Sequence, residues 1–284
     1  MPLPILKTPV ESDLIRLFHR MMLHYAQHLG ETSVLDVGTA IVNPKLSAVY
    51  DANVVIDASL PDGVDPADAV MEAESHFARE GSVCHQWVMN PSAKREQTQP
   101  LVDYLLSRGA GKVSADILYL AKQPEVSVRE IGGLRIIPAR ASYRQARELA
   151  ERSANESWGC PQLADATMLH LDDPHIDALI ALRDGKPIAS VSVLAVGEGG
   201  LIEEVYVVPE ARRQGVGRTM MSRALEICAR SLFKHVMLSV LPDNSAAQAM
   251  YAGLGFKKIG TLTEYFSGGA PIRNPNVETR NPNE

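Results

Sequence analysis

Apolar and polar residues follow their clearest periodicities in the second half of the chain. Residues 134–137 predict a short strand, and residues 142–152 keep helical spacing with Ser142 at the N-cap. A second helix is expected after Pro161. Residues 175–182 and 187–196 are apolar, β-favouring runs joined by Arg183-Asp184-Gly185-Lys186, and an Asp-Gly pair between such runs predicts a hairpin. Residues 197–200 read as the next turn and 201–208 as the following strand. Residues 214–230 then read as a helix with Val216, Met220, Met221, Ala224, Leu225 and Cys228 on one face. A strand at 236–241, a helix at 245–254 and a strand at 257–266 complete the order β-α-α-β-β-β-α-β-α-β. This is an α/β chain of the α+β type, with a mixed, largely antiparallel central sheet flanked by helices.

Residues 1–121 are less periodic, but their end echoes the other half. Trp87-Val88-Met89-Asn90-Pro91, a helix and LLSRGAGKVSADILYL parallel Leu238 to Pro242, a helix and MYAGLGFKKIGTLTEYF. The parallel predicts a diverged internal repeat, hence two tandem related domains. Between them KQPEVSVREIGG, residues 122–133, has the Pro and Gly-Gly chemistry of a linker, which divides the chain into 1–128 and 129–267. Residues 268–284, rich in Pro and Asn without apolar periodicity, are expected to form a flexible tail.

Composition narrows the classes of function. No apolar run approaches the roughly 20 residues of a membrane helix, and the first residues show neither a basic leader nor a long apolar core, so a cytoplasmic protein is expected. Cys84, Cys160 and Cys228 are widely spaced and form no metal-ligand pair, so neither a disulfide framework nor a metal is expected. A formal net charge of -6 argues against nucleic acid as a partner. Any anionic ligand must therefore be held locally.

Residues 205–218, VYVVPEARRQGVGR, lead from a strand through a short loop into a helix. Arg212, Gly215 and Gly217 form R-x-x-G-x-G. Glycines admit a ligand close to the backbone, and successive free N–H groups at a helix N-terminus cradle phosphate oxygens. A pyrophosphate suits that arrangement. With Val-Pro before the loop, and with Asn244 and Tyr251 following at a seven-residue spacing, residues 134–266 resemble the GNAT superfamily of N-acetyltransferases.

The resemblance implies acetyl-CoA as acyl donor. The backbone of Val205, Tyr206 and Val207 would pair with the pantetheine arm as an added strand, with the Val207 N–H at the thioester carbonyl. Arg212, Arg213, Gln214, Gly215, Val216, Gly217 and Arg218 would hold the pyrophosphate, mainly through backbone amides, and Asn244 would contact the same ligand. Tyr251 would meet the departing thiolate; a phenol is a weaker acid than a thiol, so a hydrogen bond suits it better than full proton transfer. Glu203 or Glu204, directed to opposite faces by strand alternation, would act as base toward the acceptor. Ser239 stands where certain relatives place a glutamate, which argues against a base on that strand.

Residues 1–128 contain no R-x-x-G-x-G and are expected to form a degenerate acetyltransferase-like domain without a CoA motif. Asp51 to Asn53 reads as a polar turn, with a cleft lining as the alternative. The expected function is transfer of an acetyl group to the amine of a small molecule or peptide by direct attack in a ternary complex. An acetyl-CoA sensor without turnover is the alternative. Expected partners are acetyl-CoA and the amine acceptor, with a homodimer left open and neither nucleic acid nor a membrane involved.

Overall fold

The computed structural model describes residues 9–121 and 131–269. The N-terminal half contributes α1 (Glu11–Gln27), β1 (Glu31–Leu35), β2 (Gly38–Val42), β3 (Asn53–Ala58), α2 (Pro66–Arg79), β4 (Gln86–Met89), α3 (Arg95–Ser107) and β5 (Gly111–Leu120). The C-terminal half contributes β6 (Leu134–Pro138), α4 (Tyr143–Ser153), α5 (Gln162–Asp172), β7 (Ile176–Arg183), β8 (Lys186–Val196), β9 (Gly199–Val207), α6 (Val216–Arg230), β10 (His235–Val240), α7 (Ser245–Ala252) and β11 (Lys257–Phe266). The mixed, largely antiparallel sheet expected between helices is present. The proposed 128/129 boundary and nearly all of the expected tail lie outside the described residues.

All eleven strands join one sheet in the order β1-β2-β3-β4-β11-β5-β10-β9-β8-β7-β6. The succession β1-β2-β3-α2-β4-α3-β5 recurs as β7-β8-β9-α6-β10-α7-β11. In each half an antiparallel meander is followed by a parallel pair, β3 with β4 and β9 with β10. The last strands are then exchanged. β5 lies against β10, β11 lies against β4, and β5 pairs with β11 where the halves meet.

Helix α1 crosses this junction. Its Leu14, Phe18, Met21 and Tyr25 enter a core with Val54, Ile56 and Val88 of one half and Ile176, Leu194, Leu201 and Leu262 of the other. Phe18 and Met21 have no exposed surface, and burying side chains of this size contributes about 1.5–3 kcal/mol each. A second core, containing the expected face of α6, packs that helix and α4 on the C-terminal sheet. Cys228 belongs to it, and all three cysteines are free thiols.

Local chemistry explains the boundaries. The β7–β8 turn places Asp184 at φ 51° and Gly185 at φ 76°, the left-handed pair a type I′ hairpin requires. The turn expected at 197–200 is shorter, because Gly199 and Gly200 belong to β9. A Cβ on Gly200 would come within 2.7 Å of the Phe233 ring, so glycine permits that packing. Ser142 occupies the N-cap position of α4 without making a capping bond. No helix among the described residues is long and apolar enough to cross a membrane.

Candidate functional site

The central opening lies where β9 leaves β10. The two pair at Gly199, Gly200 and Leu201 and part beyond, so the edge of β9 from Ile202 to Val207 has no neighbour in the sheet on that side. The Val208 N–H donates to Ile188 O across the β8 ladder at 3.0 Å. Alternation along a strand therefore turns the Val207 N–H toward the open edge. The Val207 carbonyl accepts from Arg212 Nε at 3.0 Å.

Beyond Val207 the chain makes one 3₁₀ turn, Pro209–Ala211, and enters α6 at Val216. Arg213, at φ 60°, and Gly215, at φ 83°, are left-handed, with right-handed helical backbone following Gly215. Such changes of hand aim consecutive N–H groups at a common point. The N–H groups of Arg213 through Arg218 donate to no backbone or side-chain acceptor among the described residues. Gln214 braces the turn by donating to Glu210 O and accepting from Arg183. Arg218 reaches Gly253 O at 3.2 Å and joins α6 to α7.

The preceding strand is fixed from outside. Arg152 holds Glu210 and Glu156, and Glu156 accepts from the Tyr206 hydroxyl. The hydrogen bond from Arg152 pulls the Glu210 carboxyl down to about 2. Asn244 caps α7, its side chain accepting from Ala247 N at 3.2 Å. Tyr251, on α7, is buried and packs edge-on to Phe256. Burial, and then the charge of Glu203, holds its phenol far above the ordinary range. Its hydroxyl makes no hydrogen bond among the described residues.

At Glu203 and Glu204 strand alternation fails. Glu204 has φ 54°, and the register with β8 slips between Ser190 and Ser192, so a β-bulge interrupts the pleat. The strict alternation expected of these two residues is therefore lost at the bulge, and burial together with the charge of Asp51 pushes both carboxyls upward. Glu204 accepts from the Tyr25 hydroxyl at 3.3 Å and from Thr167 Oγ1 at 3.5 Å. The Glu203 Oε1 is buried without a hydrogen-bond partner. Burial, with the neighbouring charges of Glu204, Asp51 and Glu264, raises Glu203 to about 8.

A second group of acidic residues lies where the two halves meet. A narrow pocket is lined by Tyr25, Asp51, Gln86 and Glu264, together with apolar side chains. Gln86, 2% exposed, donates to Glu264 at 2.6 Å while its own Oε1 lacks a partner. Burial raises Glu264 to about 8 and shifts Asp51 upward. Of the turn read at Asp51 to Asn53, Asp51 lines this pocket. Asn53 is fully buried and donates to Leu46 O and Val49 O. Tyr25, Gln86 and Glu264 escaped the sequence reading, since only the exchanged strands and α1 bring them to the cleft. His170, another unassigned residue, is buried against Tyr25 O and lowered to about 4 by burial.

The segment that carries this loop and strand edge resembles known proteins. The acetyltransferase (GNAT) family matches residues 143–256. This segment belongs to the GNAT family. Mycothiol acetyltransferase of Clavibacter michiganensis is 30% identical over 141 residues, which cover 49% of this chain and 44% of that protein. A GCN5-related N-acetyltransferase from Kribbella flavida superposes with TM-score 0.63 at 18% identity, covering 90% of this chain and 96% of the other. A tandem GNAT protein from the clavulanic acid biosynthesis pathway gives TM-score 0.51 at 15% identity, covering 72% and 70% of the two chains. These two likenesses are likenesses of fold. The chain spans 22% to 64% of the length of the curated relatives it resembles. The GNAT segment contains all of the loop, the open edge and Tyr251.

Proposed function

We propose that this chain is an acetyl-CoA-dependent N-acetyltransferase whose acceptor is a cationic amine entering the acid-lined cleft between the two halves. The observation that carries this reading is the open edge of β9, with the Val207 N–H turned outward, continuous with the unbonded N–H groups of Arg213 through Arg218. An open strand edge and a run of free amides at a helix start are the groups that would hold a pantetheine arm and a pyrophosphate. Val205 to Val207 would hold the arm, and residues 212–218 with Asn244 the phosphates. Acetyl-CoA, when bound, supplies the acetyl thioester. In this reading the Val207 N–H would stabilise negative charge on a carbonyl oxygen at the open edge, and the Tyr251 hydroxyl would donate a hydrogen bond to the departing sulfur.

Glu203 is the preferred base. Its free oxygen and its value of about 8 suit proton removal near neutrality, whereas Glu204 is already engaged by Tyr25 and Thr167. A lysine-like ammonium costs about 4–5 kcal/mol to neutralise at pH 7 and an α-ammonium near 8 only about 1 kcal/mol, so a base matters most for the former. Asp51 and Glu204 add acidic groups beside Glu203 on the side where such a cation would enter. The N-terminal half is read as a GNAT-like unit that has no pyrophosphate loop and supplies the far wall of the cleft.

Incubation with acetyl-CoA and a panel of amines, followed by free thiol, tests the proposal. Thiol release is expected with cationic primary amines. Acetyl-CoA binding without turnover on any acceptor would instead support the sensor.

A further inference from the structure

A cluster of histidines surrounds one buried carboxylate where α1 meets the loop entering β7. The Asp173 side chain has no exposed surface. Its Oδ1 accepts from the His175 backbone N–H at 2.8 Å and lies 2.9 Å from His175 Nδ1. Its Oδ2 lies 3.2 Å from His28 Nδ1, without the alignment of a hydrogen bond, and 3.8 Å from His24 Nε2.

The sequence sets up half of this cluster. His24 and His28 are four residues apart at the end of α1, so their side chains share a face. The fold brings the other half from the C-terminal side. The His24 and His175 rings stand edge to face with centroids 5.1 Å apart. Donor atoms of His24, Asp173 and His175 all lie within 4.8 Å of one another.

Two of those atoms, His24 Nε2 and Asp173 Oδ2, are shut off from solvent with no hydrogen-bond partner. Buried polar atoms without partners are rare in folded proteins, and a bound ion is one of the ways they are satisfied. Neutral imidazoles around a carboxylate are the ligand set of a borderline transition metal; Mg²⁺ and Ca²⁺ prefer oxygen alone. Metal–ligand bonds of about 2.0–2.1 Å in a tetrahedron place donors roughly 3.3 Å apart; the histidine nitrogens stand 2.9 to 3.8 Å from the Asp173 oxygens, and the donors of His24, Asp173 and His175 within 4.8 Å of one another, so small side-chain shifts bring them to that spacing.

We propose that His24, Asp173 and His175, with His28 beside the carboxylate, bind a divalent transition-metal ion of the zinc type, clamping α1 of the N-terminal half to the start of β7. The clamp is one residue from Tyr25, whose hydroxyl meets Glu204, so the ion positions the acceptor side of the cleft. It touches none of the residues assigned to the acetyl transfer.

The full chain, stripped of metal by chelation, is titrated with Zn²⁺ by calorimetry and with Co²⁺ by visible absorption. One ion per chain is expected, with the intense Co²⁺ bands of a four-coordinate site and a thermal midpoint that rises with Zn²⁺ and returns with chelator. A His24→Ala/His175→Ala variant alters two partly exposed positions and should weaken Zn²⁺ binding at least about 100-fold. Asp173→Asn, shown to be folded by circular dichroism, should do the same; if it does not fold, the histidine variant decides. Equal Zn²⁺ affinity in wild type and the histidine variant, or a weak octahedral Co²⁺ spectrum from both, overturns the proposal.

Discussion

Gln86 on β4 donates a hydrogen bond to Glu264 on β11 at 2.6 Å, a contact that exists because the last strand of the C-terminal half is housed in the N-terminal one. β5 is the reciprocal strand, inserted between β10 and β11. A fragment beginning at residue 129 would lack β5 and expose two strand edges together with the surface beneath α1. Such edges pair with other chains. The fragment is expected to be aggregated or unfolded by size-exclusion chromatography and circular dichroism, and adding residues 1–128 in trans should restore a soluble complex. A monomeric, folded fragment would show that the exchange is dispensable.

Tyr251→Phe keeps the ring against Phe256 and removes only the hydroxyl. Under the proposed mechanism kcat should fall roughly 10²-fold or more, with the affinity for acetyl-CoA nearly unchanged. Steady-state thiol release and calorimetry separate the two quantities. An unaltered kcat would leave Tyr251 a packing residue.

Gly215→Ala tests the turn. At φ 83° an L-residue is strained by about 1–2 kcal/mol, although the added Cβ would come no closer than 3.7 Å to Ile131. A modest loss of thermal stability should accompany at least tenfold weaker acetyl-CoA binding, because relaxing the strain turns the amides away from their common point. Wild-type binding by a destabilised variant would place the phosphates elsewhere.

A base that is protonated below pH 8 imposes a rate that climbs with pH. For Glu203, raised to about 8, kcat/KM should rise through that value and level above it. In Glu203→Gln the rate should be lower and that rise should vanish, leaving only the titration of the amine itself. A variant profile that keeps the step near 8 would assign the proton to another group.

The same shifts affect stability. Glu203 and Glu264 ordinarily titrate near 4.5, and both are raised to about 8 in the folded chain. Between these values the folded state retains protons that the unfolded chain has released, so their contribution to stability falls as pH rises through the window and is constant above it. The thermal midpoint of Glu203→Gln/Glu264→Gln should therefore decline less than that of wild type from about pH 5 to about pH 8. Parallel curves would mean that these carboxyls are not buried as described.

The C-terminal elements were legible because their signals are local. Asp184-Gly185 specifies a turn through backbone conformation alone, the face of α6 repeats at helical spacing, and Arg212, Gly215 and Gly217 lie within one short loop. The relation between Glu203 and Glu204 is not legible in the sequence, because a bulge adds a residue that no period of two anticipates. Asp51, Gln86 and Glu264 reach one pocket through strand exchange, a relation between distant segments with no trace in spacing. His24 and His28 are visible as a pair, but their carboxylate lies in the other half.

The exchanged strands also set the order in which the protein can mature. The N-terminal sheet pairs β4 with a strand ending at Phe266, so it cannot close as the nascent chain emerges, however early its own residues leave the ribosome. Until then β4 carries an unsatisfied edge and the Asp51 pocket has no floor. Closure of the sheet consequently waits for the last strand, and a ribosome stalled there would hold a chain with both halves incomplete.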